Sequence, residues 1–392
     1  MKTKCILPWT SLETSPNGGV KICCMSTKDL LPSKLDTTSL DNYHHSPLLK
    51  EIQQSMVNGE QHPNCENCWQ EERAGRDSKR IRDNKTYKDF ENIVEDQPVI
   101  LDLKLGTTCN IKCRTCGFFN SSAWVKEDLH FAKDTEYSKE ILKHQHQVDL
   151  SYHHQNKNFW RVVDKWLPKL KHIDMYGGEP MLVKEQWNIV KKSVDLGYSK
   201  DQSLHYNTNG TIFKDEYIDL LKNFKHVSIQ FSIDGIADMF EYMRYPAKWN
   251  KVYNNMKKYK EYLISNKNIH LDVCLTISIY NMYYIDIISN FIFENLQLPV
   301  YLNLVHTPSY FNITNIPEKA KEKIANKLLK NYNTSSYFTG YHRLQGIIDF
   351  MLDTQCNQKI FDKFTSITKQ HDNYRNQAFK NVFTEFSDII YG

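Results

Sequence analysis

The sequence predicts an α/β protein whose main part is an open or partial (β/α)6 TIM-like barrel. From Pro98 onward, short β-branched or aromatic runs alternate with longer amphipathic runs, which is typical of βα repeats. Eight of the ten cysteines lie before residue 117, most of them in a segment with weak helical periodicity, which predicts a small metal-stapled N-terminal unit. After Pro317 the pattern is helical, and we expect a helical C-terminal extension.

Six strands and four of the helices between them can be assigned from these runs. The strands are expected at 99–105, 172–175, 203–207, 227–233, 270–277 and 300–305, and the helices at 184–196, 214–223, 248–264 and 282–293. Right-handed crossovers make such strands parallel, so that their carboxyl ends meet at one edge. We expect the chemistry of the protein at that edge.

Composition shifts divide the chain into four parts. They are a cysteine-rich domain over 1–70, a charged linker helix over 71–97, the barrel over 98–310 and the helical extension over 311–392. A polar insertion of about 40 residues, 120–158, follows the first barrel strand. Its histidines, among them His144, His146, His153 and His154, lack a carboxylate pattern and predict a surface segment rather than a metal site.

The bulk composition limits the partners and the location of the protein. The net charge of +4, from 50 basic and 46 acidic residues, gives no support to nucleic-acid binding. No signal-peptide core and no long apolar stretch is present, so we expect a cytoplasmic protein without a membrane partner. The cytoplasm keeps thiols reduced, and the clustered cysteines therefore suit metal binding, whereas the isolated Cys274 and Cys356 suit small buried apolar positions.

Three cysteines follow the first barrel strand within eight residues, at Cys109, Cys113 and Cys116. Three thiolates at this spacing can hold three irons of a cubane cluster and leave the fourth iron open. An open iron can bind a substrate or cofactor. The alternative is a zinc site that takes its fourth ligand from elsewhere in the chain.

The Cys-x3-Cys-x2-Cys loop resembles the signature of the radical S-adenosylmethionine (radical SAM) superfamily. This resemblance implies a [4Fe–4S] cluster that binds S-adenosylmethionine at its open iron. It also implies an external electron donor such as flavodoxin or ferredoxin, and a 5′-deoxyadenosyl radical that abstracts hydrogen from a substrate. Thr115 departs from the pattern, because many members have an aromatic residue before the third cysteine; Phe118 or Phe119 is the candidate replacement.

Three later strand ends resemble further motifs of the same superfamily. By this resemblance Gly177, Gly178 and Glu179 hold the methionyl amino group, as a carboxylate can pair with an ammonium group. Ser232 and Asp234 then lie near the ribose, and Arg244 pairs with the cofactor carboxylate. Asn209, in Thr-Asn-Gly, is either a polar cofactor contact or part of a strand-ending turn.

A second set of cysteines lies in the N-terminal segment. The pattern Cys-x12-Gly-x4-Cys from Cys5 to Cys23, followed by Cys65 and Cys68, resembles the twitch module, a short form of the SPASM domain. This resemblance implies one auxiliary [4Fe–4S] cluster, although the module usually follows the barrel. Cys24 is the alternative to Cys23, and structural zinc is the alternative to a cluster.

The sequence thus predicts a radical SAM enzyme that acts on a peptide or protein side chain. A small-molecule epimerase, dehydrogenase or dehydratase of carbohydrate type is one alternative, and a non-catalytic zinc or iron–sulfur scaffold or electron carrier is another. We assign no catalytic side chain. Four side chains are expected near the barrel mouth, where they could contact the substrate: Tyr206, Gln230, Asn303 and His306.

Overall fold

Eight strands form one sheet in the computed structural model, which describes residues 3–31, 40–73, 77–91, 96–133, 135–151, 157–332 and 341–391. The strands are β1 (Ser11–Thr14), β2 (Val20–Lys21), β3 (Ile100–Lys104), β4 (His172–Tyr176), β5 (Ser203–Thr208), β6 (His226–Ser232), β7 (Ile269–Ile277) and β8 (Val300–Leu304). Their spatial order is β2-β1-β3-β4-β5-β6-β7-β8. The sheet is open, because its edge strands β2 and β8 do not pair with each other.

The strands β3 to β8 confirm the predicted βα repeats. Each begins and ends within one residue of its predicted bounds, and all are parallel to their neighbours. Strands such as β5 could be predicted because every second side chain along them is buried. All six carboxyl ends therefore lie at one edge.

Helices surround this sheet. Those of the N-terminal segment and the linker are α1 (Leu7–Thr10), α2 (Pro47–Val57), α3 (Glu66–Arg73) and α4 (Lys79–Thr86). Those of the barrel are α5 (Val125–Ala132), α6 (Glu136–Ser151), α7 (Lys157–Trp166), α8 (Lys184–Asp195), α9 (Asp215–Leu221), α10 (Ala237–Met243), α11 (Trp249–Leu263) and α12 (Ile285–Leu296). The C-terminal extension forms α13 (Glu318–Tyr332), α14 (Tyr341–Asp353), α15 (Gln358–Arg375), α16 (Phe379–Val382) and α17 (Thr384–Tyr391).

The N-terminal segment is continuous with the barrel in the structure. Strand β1 pairs in parallel with β3, with Leu12 opposite Leu101, and both side chains lie in one hydrophobic core. A domain over 1–70 was expected as a separate unit; in the structure it shares both sheet and core with the barrel. Pairing with β1 also removes the exposed edge that β3 would otherwise present.

The charged run at 71–85 differs from the single solvated linker helix that was expected. Its described residues belong to the end of α3 and to α4. Arg80 is buried, pairs with Glu72 and lies over the Trp69 ring at 4.9 Å. The pairing of opposite charges within the run lets it pack against the N-terminal segment.

The insertion and the C-terminal extension are both helical. The insertion forms α5 and α6, where His144 packs edge-on against Phe118 at 5.3 Å, while His153 and His154 lie outside the described residues. The extension builds a second apolar core with the helices near β7 and β8, in which Phe364, Phe383 and Phe386 are fully buried. No described helix is long and apolar enough to cross a membrane.

Replacing Leu12 by alanine should test whether β1 is an integral strand. Leu12 is fully buried, so the truncation should lower the free energy of unfolding by about 2–5 kcal/mol. Val57→Ala is the control, because Val57 is exposed and its truncation should cost less than about 0.5 kcal/mol. Urea unfolding of the full chain measures both. If the N-terminal segment folded as a separate unit, Leu12→Ala would leave the main unfolding transition unchanged and add a second transition at lower urea concentration.

The pH dependence of stability should reveal the burial of His371 on α15. Burial, aided by Arg375, Arg114 and Lys112, lowers the pKa of His371 from 6.5 to about 3. Between these values the unfolded chain binds a proton that the folded chain does not, so stability falls as the pH falls. In His371→Phe the loss of thermal stability between pH 6.5 and 4 should be smaller than in the wild type. Equal slopes would contradict the burial.

Candidate functional site

The cysteine loop runs from Gly106 to Cys116 and begins two residues after β3, without helix or strand of its own. Its backbone is held instead by the end of α10 and the residues that follow it. Lys112 N donates to Tyr245 O at 2.6 Å, and Arg114 N donates to Met243 O at 2.8 Å. These two bonds fix the chain on both sides of Cys113, and they orient its side chain.

The three thiols of this loop are partly buried beside polar groups from later strands. Asn209 Nδ2 lies 3.9 Å from Cys109 Sγ, and Arg244 Nη1 lies 3.6 Å from Cys113 Sγ. Burial raises the pKa of Cys113 to about 12, although Arg244 opposes this, and burial also raises the pKa of Cys109 and Cys116. Binding of a metal must therefore displace the thiol protons.

The Gly-Gly turn after β4 packs directly on the cysteine loop. Gly177 and Gly178 have φ of 81° and 55°, a region that glycine adopts readily. A Cβ atom on Gly178 would overlap Thr108 O, and Glu179 N donates to the same oxygen at 2.8 Å. The second glycine is thus required by the close approach of two loops.

Glu179 joins the ends of β4 and β5. Its carboxylate is fully buried and accepts hydrogen bonds from Thr208 Oγ1 at 2.8 Å, Asn209 N at 2.7 Å and Met181 N at 3.1 Å. Burial raises its pKa. A carboxylate has about four acceptor positions, so one stays available for the expected amino group.

Asn209 connects the same turn to the cysteine loop. Its side-chain amide donates to Asn110 Oδ1 at 2.9 Å, and its Oδ1 accepts from Thr211 N and Oγ1. Asn209 therefore holds the loop as part of a strand-ending turn and also lies beside a thiol. The two interpretations of this residue are compatible.

Asp234 and Arg244 form a buried ion pair at 2.8 Å. Asp234 also accepts from Thr276 N at 3.2 Å, and burial raises its pKa although Arg244 lowers it. The buried Arg244 Nε has no hydrogen-bond partner among the described residues. Such a donor calls for an acceptor, and the carboxylate of a bound cofactor would supply one.

A cavity of about 890 Å³ lies between the inner face of the sheet and the N-terminal segment. Ser232 lines it, together with three of the four side chains expected at the barrel mouth: Gln230, Asn303 and His306. The expectation for Tyr206 is wrong, because it points to the outer face, where its hydroxyl donates to Tyr259 at 3.4 Å. Strand alternation separates it from its inward neighbours.

The inner face of the sheet carries a hydrogen-bonded polar network. Asp174 Oδ1 lies 3.0 Å from His172 Nε2 and 2.9 Å from His205 Nδ1, and the Tyr176 hydroxyl lies 3.1 Å from His205. Burial raises the pKa of Asp174, but the contacts with His172 and His205 outweigh it and keep this pKa below its usual value. Through Tyr176 the network reaches the cavity.

Four of the five N-terminal cysteines line one small pocket. Cys5, Cys23, Cys65 and Cys68 come from different elements and converge there, beside Arg80. Cys24 lines the large cavity instead, where burial raises the pKa of its thiol to about 11, although the charge of Lys79 opposes this. The structure thus assigns the two adjacent cysteines to different spaces.

Both cysteine sets fit an iron–sulfur cluster by the chemistry of their donors. Soft thiolates are the ligands that such clusters take, three at an open cluster and four at a closed one. Among the described residues, no three His, Cys, Asp or Glu side chains are grouped as one metal ion would require.

Two features of the site were missed in the sequence. Cys274 is buried, as expected, but it also lines the cavity, and spacing could have revealed this, since Asp272, Cys274 and Thr276 alternate along β7. Burial raises the pKa of Cys274 to about 12. The contacts between Arg114 and the C-terminal helix α15 have no local sequence signal.

One protein-family model matches the part of the chain that contains this site. Residues 103–282 match the model of the radical SAM superfamily. The match covers a little under half of the chain. The matched residues contain the cysteine loop and all three later strand-end motifs.

A curated relative is the sporulation killing factor maturation protein SkfB of Bacillus subtilis (strain 168), 25% identical over 184 residues. The match covers 46% of this chain but only 36% of that protein.

Solved structures give weaker likenesses. The structure of native anSMEcpe with bound AdoMet matches with a TM-score of 0.41 at 15% sequence identity. The match covers 66% of this chain and 62% of the anSMEcpe chain. SuiB of Streptococcus suis bound to precursor peptide SuiA has a TM-score of 0.37 at 14% identity, covering 75% and 64%. At these scores the likenesses do not establish a common fold.

Substitution of Gly178 should show how closely the turn approaches the cysteine loop. Gly178→Ala adds a clash with Thr108 O to the cost of a positive φ, whereas Gly197→Ala, at φ 79° with open space around it, has the φ cost alone. We expect Gly197→Ala to lose about 1 kcal/mol of stability and Gly178→Ala clearly more. Thermal unfolding and bound iron should be measured for both. Equal losses would contradict the close packing.

Proposed function

We propose that this protein is a radical SAM enzyme that abstracts hydrogen from a peptide or protein side chain. Cys109, Cys113 and Cys116 would hold the [4Fe–4S] cluster. When bound, the cluster supplies the electron that cleaves S-adenosylmethionine to a 5′-deoxyadenosyl radical. The single observation that carries the proposal is the convergence of this three-thiol loop with the ends of β4, β5 and β6 at one edge of the sheet.

The cofactor contacts follow from the groups at that edge. Glu179 would accept the methionyl ammonium, beside the backbone of Gly177 and Gly178. The unpartnered Nε of Arg244 supports a carboxylate contact, while Asp234 keeps the guanidinium in place at 2.8 Å. Ser232, at the wall of the cavity, would lie between cofactor and substrate, with Asn209 beside the cluster.

A peptide or protein substrate is supported by the curated relative and by the cavity. The relative is named as a maturation protein, and the cavity of about 890 Å³ is large enough for side chains and polar enough to hydrogen-bond a backbone. Gln230 and Asn303 offer both donors and acceptors there. We propose that these side chains orient the substrate toward Ser232.

The N-terminal pocket would hold an auxiliary [4Fe–4S] cluster on Cys5, Cys23, Cys65 and Cys68. The four thiols line one space, and Cys24, next to Cys23 in the chain, faces the substrate cavity. This arrangement supports a role near the substrate, either in taking up an electron or in shaping the cavity wall. An external electron donor such as flavodoxin or ferredoxin completes the proposal, in a reducing compartment such as the cytoplasm.

The test is reductive cleavage of S-adenosylmethionine by the anaerobically reconstituted full chain with dithionite. The wild type should contain about eight irons and release 5′-deoxyadenosine. Cys113→Ala should reduce the product to the background without enzyme, because the loop keeps only two ligands. Cys356→Ala is the control, since Cys356 lies in the C-terminal extension, with its thiol 3.2 Å from Asn315 O.

Two results would contradict this function. One is a fully loaded chain that forms no 5′-deoxyadenosine, and the other is stoichiometric zinc in place of iron. Cys65→Ala separates the two clusters: it should lose about four irons and keep cleavage of S-adenosylmethionine.

A further inference from the structure

We propose that the C-terminal helix α15 positions the cysteine loop for its cluster, with Asp372 and Arg375 as the positioning residues. The inference rests on the proposed function, since it concerns the same loop. Helix α15 lies outside residues 103–282, which match the superfamily model. These positions therefore lie outside the part of the chain that the superfamily model matches.

The first contact is a buried ion pair between the loop and the helix. Arg114 lies between Cys113 and Cys116, and its fully buried side chain pairs with Asp372 at 2.6 Å. Its guanidinium also lies 3.7 Å from the centre of the Tyr242 ring. A buried guanidinium needs such a partner, because an unpaired charge in the interior is very costly.

Asp372 is itself held in place by neutral donors. The Tyr242 hydroxyl donates to it at 2.9 Å, and Phe379 N donates at 2.7 Å. Tyr242 belongs to α10, and Phe379 begins α16. The carboxylate therefore joins the loop to two further elements, and its position does not depend on Arg114 alone.

The second contact is a shared carboxylate on the insertion helix α5. Glu127 accepts from Arg375 Nε at 2.9 Å and from Lys112 Nζ at 2.7 Å, and the side chains of Glu127 and Arg375 are both fully buried. Arg375 Nη1 also donates to Lys112 O at 3.1 Å. Helix α15 thus reaches the backbone of the loop directly.

Aromatic packing extends this contact to Cys113. The Arg375 guanidinium lies 4.5 Å from the centre of the Trp124 ring, and the Trp124 indole donates to Cys113 O at 3.1 Å. Within the described part of the chain, neither Asp372 nor Arg375 is among the hydrogen-bond partners of the three thiols. They act through Lys112 and Arg114, the residues immediately before and after Cys113.

These contacts matter because the loop has no ladder or helix of its own. Two backbone bonds to residues 243 and 245 and the contacts with α15 hold residues 112–114 from different sides. A cluster binds with less ordering cost when its thiols are already oriented. Loss of Asp372 or Arg375 should free the loop locally and leave the N-terminal cysteines unaffected.

Asp372→Asn is the test, with Asp286→Asn as the matched control. Asp286 is also buried and partners a cation, Lys327, at 2.8 Å, but it packs between α12 and α13, away from the loop. Both variants remove one buried carboxylate charge. The cluster-free full chains are treated with iodoacetamide, and alkylation of each cysteine is followed by mass spectrometry.

In Asp372→Asn the alkylation of Cys109, Cys113 and Cys116 should accelerate about tenfold relative to Asp286→Asn, with Cys65 and Cys68 unchanged. After reconstitution, iron should fall from about eight to about four per chain. The electron paramagnetic resonance signal that S-adenosylmethionine perturbs should be lost. Loop alkylation and iron content equal to those of Asp286→Asn would overturn the proposal, and so would equal acceleration at every cysteine.

Arg375 provides a second, conservative pair of variants. Arg375→Lys keeps a charge beside Glu127, whereas Arg375→Met leaves that carboxylate with Lys112 alone. Loop alkylation should be faster in Arg375→Met than in Arg375→Lys, and equal rates would count against positioning. If the wild type takes up no cluster at this loop, the proposed function fails, whereas alkylation still decides the contact with α15.

Discussion

The site depends on the parallel arrangement of strands β3 to β8. It brings six strand ends to one edge, so that loops far apart in the chain, such as those of Asn110 and Asn209, meet there. Glu179 shows how close this meeting is, since one buried carboxylate binds groups that follow two different strands. Because the carboxylate is buried and accepts three hydrogen bonds, it holds the loops around it together.

Burial of charge is the second theme of this fold, and pairing makes it tolerable. Lys104 pairs with Glu13 across β3 and β1, Asp174 lies between two histidines, and Arg244 pairs with Asp234. Lys104 lines the cavity on the inner face of the sheet, and so does Thr276, whose backbone N donates to Asp234. A cavity bounded by paired polar groups offers directional contacts to a polar substrate.

The periodic and local features could be predicted from the sequence. The strands were found within one residue, because alternation along each strand reports which face is buried. The insertion helices and the second apolar core were harder to predict from the sequence, because no sequence motif marks the side chains that pack there. Tyr206 shows how easily the direction of a strand side chain is predicted wrongly. Neighbouring residues of a strand point to opposite faces, so a shift of one residue moves a side chain from the cavity to the buried outer face of the sheet.

The sequence by itself determined the βα order, the donor types and the strand ends that carry them, because these depend on residue identity and local spacing. Only the tertiary structure decided that β1 joins the barrel sheet, that Cys23 and Cys24 face different spaces, and that α15 reaches Arg114. The reason is physical. Edge pairing and buried ion pairs join residues far apart in the chain, and their partners are chosen by geometry and desolvation rather than by any local pattern.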